Sequence, residues 1–241
     1  MRNSPNFGVL NEPRGFIKIL EVLLAIFAFS CATGFRGHIE VIQEFEAGSS
    51  NNAKVTFSYP FDTKVALPLK YNNTITNLEL IFNQRSSSEF FVVIGVFCFL
   101  YCLIILVYYV MFEEENTQSS TATGMLSLPV IDFCVGAFWA LFWFFSSCAF
   151  AAATNGIKKV ADIEKSVHML DACINGNKCT FIGAKYAALT IAILLGFLNV
   201  FVWSGNMWFL WKETPWHTAN RRNQPATLGG QSHQSAPAAP I

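Results

Sequence analysis

The chain has 241 residues, 53% of them hydrophobic and 15% aromatic with 24 Phe, and its 16 basic and 16 acidic side chains give a formal net charge of zero. Soluble domains carry about a quarter charged residues, so a charged fraction of 13% excludes an ordinary soluble domain. The balanced charge and the lack of a basic block exclude nucleic acid as a partner, and seven Cys are too few for a disulfide-built scaffold.

The apolar residues fall in four blocks, at about 16–35, 90–112, 128–153 and 184–211, each near or above the ~20 residues that cross a bilayer. In hydrocarbon a lone segment satisfies its own backbone groups only as a helix. These blocks are apolar all round, unlike the amphipathic helices of a soluble bundle. The expected fold class is an all-α membrane protein: a four-transmembrane-helix bundle over 16–211, with an N-terminal segment 1–15 and a tail 212–241. The first block is read as a retained helix rather than a cleaved signal peptide. Lys18 and Glu21 interrupt its start, and Phe35-Arg36-Gly37-His38 lacks a small-x-small cleavage pattern. Between the spans lie a long loop of 36–89, a short acidic turn from Glu113 to Met125, and a second loop of 154–183. The tail is rich in Gln, Ser, Ala and Pro without apolar periodicity, and is expected to be disordered.

Orientation is contested within the sequence. Arg2, Arg14, Lys212, Arg221 and Arg222 lie on the terminal side, whereas the two loops hold Arg36, Lys54, Lys64, Lys70, Arg85, Lys158, Lys159, Lys165 and Lys178. A plain positive-inside vote therefore favours outward termini. Two features oppose it. Asn72-Asn73-Thr74 is an N-glycosylation sequon in the first loop, and Cys173 and Cys179 are the only cysteine pair outside the spans. Both belong to lumenal loops, so both termini are expected to be cytosolic. Cys173 and Cys179, with five residues between them, suit a small disulfide; a zinc site with His168 and Asp171 is the alternative, disfavoured by the ligand spacing. Cys31, Cys98, Cys102, Cys134 and Cys148 lie in spans and are expected to pack as small apolar residues, with acylation of Cys98 or Cys102 the alternative.

Intramembrane charge marks function by default, and here it sits at helix ends. Lys18 and Glu21 share a face of the first helix, and Asp132 stands one turn into the third at the same end. Lys18 is expected to snorkel to the headgroups, with Glu21 and Asp132 competing for it. The deepest polar residue of the fourth span, Asn199, suits hydrogen bonding between helices. In that span Ala184, Ala188, Ala192 and Gly196 recur every four residues, with Ser204 two steps on. Such a stripe lets backbones approach closely, either within the bundle or against another chain. Trp203, Trp208, Trp211 and Trp216 crowd the same end as interfacial anchors. Arg14 to Leu20 and Arg85 to Val92 fit the loose cholesterol pattern in reverse. No catalytic residue, cofactor or metal is read: His38, His168, His217 and His233 are scattered, and no Gly-rich phosphate loop, HExxH or GxSxG occurs.

The segment Glu12-Pro-Arg-Gly-Phe-Ile-Lys-Ile-Leu-Glu21, leading into Ala25-Ile-Phe-Ala-Phe29, resembles the start of the synaptophysins. So do Tyr59-Pro-Phe61, Ser86-Ser-Ser-Glu-Phe-Phe91, Gly196-Phe-Leu-Asn199, Trp203-Ser-Gly-Asn-Met-Trp-Phe209 and Lys212-Glu-Thr214. The resemblance runs from about residue 12 to 216 and covers all four spans. It implies a MARVEL-type domain in synaptic or secretory vesicles, with cytosolic termini and a glycosylated lumenal loop. Homo-oligomers, association with cholesterol in the lipid bilayer, and binding of the vesicle SNARE synaptobrevin during exocytosis and retrieval are also implied. The competing class is an oligomeric channel or transporter. Two departures stand out: residues 36–89 hold no cysteine, where the family carries a disulfide, and residues 212–241 contain no tyrosine, so the tail's Gly, Tyr and Gln repeats are missing.

Overall fold

The computed structural model describes residues 7–45, 48–71, 74–119, 128–163, 173 and 178–213. Asn72, His168, Asp171, His217, His233 and Trp216 lie outside the described residues. Four long helices dominate: α1 Pro13–Thr33, α2 Arg85–Ser119, α3 Leu128–Ala161 and α4 Ala187–Glu213. Each is long and apolar enough to cross a membrane. Pro13 opens α1 at the position where its missing N–H has no helical partner to lose. Each helix packs beside two others, α1 against α2 and α4, and α3 against α2 and α4, which closes a square bundle. Residues early in α1 and α3 meet residues in the later half of α2 and late in α4, so successive helices alternate in direction and the start of α1 lies at the same end of the bundle as the end of α4.

Several boundaries differ from those read in the sequence. α2 is 35 residues long, ~52 Å at 1.5 Å per residue, more than a ~30 Å hydrocarbon core. Its helix therefore runs beyond the apolar block, and Glu113, Glu114 and Glu115 sit in it rather than in a turn. α3 likewise continues past residue 153, ending with Lys158 and Lys159 in its last turn, where cations complement the helix dipole. α4 begins at Ala187, so Ala184 precedes the helix.

The larger difference lies at the far end of the bundle. The long loop is built as β structure, with β1 Arg36–Glu44, β2 Ser50–Ser58, β3 Asp62–Tyr71 and β4 Thr74–Asn83, joined by β5 Lys178–Ile182 from the second loop. All pairing is antiparallel: one sheet has the order β2-β1-β5 and the other is the β3-β4 hairpin. Alternation directs Ile39, Val41, Ala53, Val55 and Phe57 of the first sheet inward, as it does Leu67, Leu69, Leu80 and Phe82 of the second. Phe57 and Phe82 stack at 4.5 Å between ring centroids, and Phe35, at the end of α1, packs against Phe57, Phe61 and Tyr186. An aromatic cluster thus couples this β unit to the bundle. Gln84 continues the coupling, since its N–H donates to Phe61 O and its side chain fills the space left by the missing side chain of Gly156. Burial pushes the Tyr186 phenol up, with Asp162 adding to it.

Candidate functional site

The chemistry of the bundle gathers at its terminal end. Glu21 lies eight residues into α1, ~12 Å along the axis, and is wholly buried with Lys18 one turn before it. Lys18 Nζ stands 3.1 Å from Glu21 Oε2 and 3.5 Å from Asp132 Oδ1. The ammonium also lies over two rings, 4.7 Å from Trp203 and 5.4 Å from Tyr101, the placement in which a desolvated cation gains most from aromatic faces. It is held by charge and rings, without an aligned hydrogen bond.

Every carboxylate oxygen of the cluster has a partner. Asn206 Nδ2 donates to Glu21 Oε1 at 3.2 Å and Cys102 Sγ to Oε2 at 3.3 Å. Tyr101 donates to Asp132 Oδ1 at 2.8 Å and Tyr109 to Oδ2 at 2.9 Å. The network takes Lys18 and Glu21 from α1, Tyr101, Cys102 and Tyr109 from α2, Asp132 from α3, and Trp203 and Asn206 from α4. Two acids and one base leave a formal excess of one negative charge, tolerated in low dielectric because each acceptor is satisfied.

Two expectations are corrected here. Lys18 is 1% exposed and does not snorkel; its neighbours within the bundle, both acids and both rings, hold it inside. Cys102 is not merely a small apolar filler, since its thiol donates to Glu21. Both Cys98 and Cys102 are buried, which removes them as acylation sites. Sequence reading also missed Tyr101, Tyr109 and Asn206 as members, and Trp203, expected as an interfacial anchor, is wholly buried with its ring against Lys18. The signal present was their polar atoms inside apolar spans, but their pairing joins residues as far as 185 positions apart.

The buried side of α4 follows the helical period rather than steps of four. It runs Leu189, Ala192, Asn199, Trp203, Asn206 and Leu210, with Gly196 between them. A Cβ at Gly196 would collide with Ser147 Oγ of α3 and come within 2.8 Å of the Phe91 ring of α2. Ala192 and Gly196 therefore serve packing within the bundle. Ala188 is half-buried, Ala184 precedes α4, and Ser204 is exposed, its hydroxyl donating to Val200 O. Asn199 donates to Leu195 O in its own helix, not to a neighbouring helix. Steps of four drift off a 3.6-residue period, which is why the stripe leaves the buried face.

The chain matches the family model of the MARVEL membrane-associating domain over residues 10–209. It belongs to the MARVEL family. The matched region contains the first three spans, the fourth as far as Phe209, the intervening β unit and the whole polar network. In this MARVEL domain the disulfide Cys173–Cys179 fastens the second loop at β5, where Cys179 pairs with Gln43 of β1. With both cysteines bonded to each other, neither is a zinc ligand.

Proposed function

We propose that this MARVEL protein is a non-enzymatic organiser of synaptic or secretory vesicle membrane. It works through lateral contacts of its spans: self-association, association with cholesterol, and capture of the vesicle SNARE synaptobrevin, by which it regulates exocytosis and retrieval. The synaptophysin-like motifs from Glu12 to Thr214 carry the vesicle and partner assignment. The observation that carries the lateral mechanism is how little of each span the chain covers itself, only 28–33% of the spanning windows being buried. The outward faces are apolar, as in Leu194, Leu198 and Phe201 of α4 or Phe97, Leu100 and Ile104 of α2. Such surfaces fit lipid, sterol or another span, where packing drives association. They are poor linings for the channel alternative, whose pore would need polar side chains along an outward face. The ionisable groups instead face each other inside one bundle.

Crosslinking in native vesicle membranes, followed by identification of the co-purifying spans, tests the reading; recovery of synaptobrevin and of the chain itself is expected. Selective, saturable flux through the reconstituted protein would overturn it in favour of a channel. Cytosolic termini and a glycosylated Asn72 form part of the proposal. A glycosidase-sensitive mass shift lost in Asn72→Gln is the expected result, and modification of introduced tags at the termini from the lumen would reverse the orientation.

A further inference from the structure

A cleft of about 390 Å³ opens where α1 meets the β unit, lined by Thr33, Arg36, His38, Lys54, Thr56, Ser58 and Tyr59 over a floor of Phe35, Gly37 and Phe57. Arg36 follows the last residue of α1 by three positions, so the cleft sits where the apolar span gives way to the headgroup level. The sheet register assembles its basic wall. Arg36 and His38 project from the same face of β1, and Lys54 of β2 lies diagonal to His38, whose direct partner is Thr56; such diagonal neighbours are ~7–8 Å apart.

These basic side chains are outside the ion pairs of the fold. Among the described residues no ion pair engages Arg36, His38 or Lys54. Glu40 stands opposite Lys54 in the ladder, but its Oε1 accepts from Asn52 Nδ2 at 2.6 Å instead. A guanidinium, an ammonium and an imidazole, which donates in either protonation state, thus face one concavity beside four hydroxyls, of which that of Thr33 already donates to Phe29 O. Burial raises the Tyr59 phenol's pKa, with Glu89 reinforcing and Arg85 opposing.

We propose that this cleft binds a phosphate group, with Arg36 and Lys54 supplying charge and His38, Thr56, Ser58 and Tyr59 supplying further donors. Arg presents a planar fork matched to phosphate oxygens and Lys a point charge. The ligand is a phospholipid headgroup or a free phosphate; the chemistry is shared, and the position at the end of α1 is open to both.

The test uses the purified full chain in neutral detergent, titrated with short-chain phosphatidic acid, with diacylglycerol of the same chains, and with inorganic phosphate, bound ligand being counted by native mass spectrometry. Phosphatidic acid is expected to bind saturably and diacylglycerol much more weakly. Arg36→Ala/Lys54→Ala should weaken phosphatidic acid about tenfold or more, as loss of charge-assisted hydrogen bonds requires. Lys64→Ala/Lys178→Ala, with the same loss of charge at exposed strand positions, should not. Competition by inorganic phosphate at comparable concentration identifies a free phosphate as the ligand, and its failure to compete identifies the headgroup; both support the cleft. Equal binding of phosphatidic acid and diacylglycerol, or equal binding by the two double variants, overturns it. Should the first double variant misfold, the single variants Arg36→Gln and Lys54→Gln carry the same comparison.

Discussion

The side-chain amide of Gln43 pairs with both backbone groups of Lys70: Nε2 donates to Lys70 O at 3.2 Å and Oε1 accepts from Lys70 N–H at 2.9 Å. Gln43 thereby acts as a one-residue strand for β3, tying the three-stranded sheet to the hairpin, and Asn51 Nδ2 adds a third bond at 2.9 Å. The side chain is wholly buried, so nothing in solvent replaces it. Gln43→Leu keeps the volume and orphans the Lys70 groups, at an expected cost of about 1–3 kcal/mol. Faster proteolytic cleavage within 36–89, with the bundle helices still protected, is the predicted readout. Unchanged protection would show that the sheets are held by their apolar faces alone.

The polar network predicts a sharper response. Lys18→Met leaves Glu21 and Asp132 buried without their cation, and breaking a buried pair by removing one partner costs about 3–5 kcal/mol. A large fall in thermal midpoint is expected in detergent. The triple variant Lys18→Met/Glu21→Gln/Asp132→Asn removes all three charges together and should recover much of the loss. A midpoint unaffected by Lys18→Met would mean that the two rings and the acids do not depend on the ammonium.

Much of this was legible from residue order, and the part that was not has a physical cause. Four apolar blocks dictate four helices because hydrocarbon leaves the backbone no other partner. The meeting of Lys18, Glu21 and Asp132 follows from their shared end. Their burial does not, because it depends on Tyr101, Trp203 and Asn206 arriving from other helices. The strands of the first loop do alternate, as in Ile39-Glu-Val41 and Val55-Thr-Phe57, but a period of two over a short stretch is a weaker signal than a long apolar run. Gln43 in an inward position breaks even that pattern, and only the opposite sheet explains it.

The disulfide tethers β5, the shortest strand, to the rest of its loop. Cys173→Ser/Cys179→Ser should remove about 2 kcal/mol of loop constraint and speed amide exchange in Lys178–Ile182 before that in β1 or β2. Exchange that rises equally in all three strands would indicate a sheet that opens as one unit, with the bond stabilising it globally.

Lateral association can be separated from internal packing on α4. Ala192 is wholly buried and Gly196 abuts Ser147 and Phe91, so Ala192→Leu or Gly196→Ala overpacks the bundle at about 1–3 kcal/mol and lowers the thermal midpoint. Leu194 and Phe201 are 63% and 73% exposed and touch the outside of the bundle. Leu194→Ala/Phe201→Ala should leave that midpoint nearly unchanged while reducing crosslinked oligomer or synaptobrevin recovery. If association survives this double substitution, another span, such as the Phe97, Leu100 and Ile104 face of α2, makes the contact, and the same truncation there should abolish it. Association that tracks the thermal midpoint across all these variants would instead tie it to folding of the bundle.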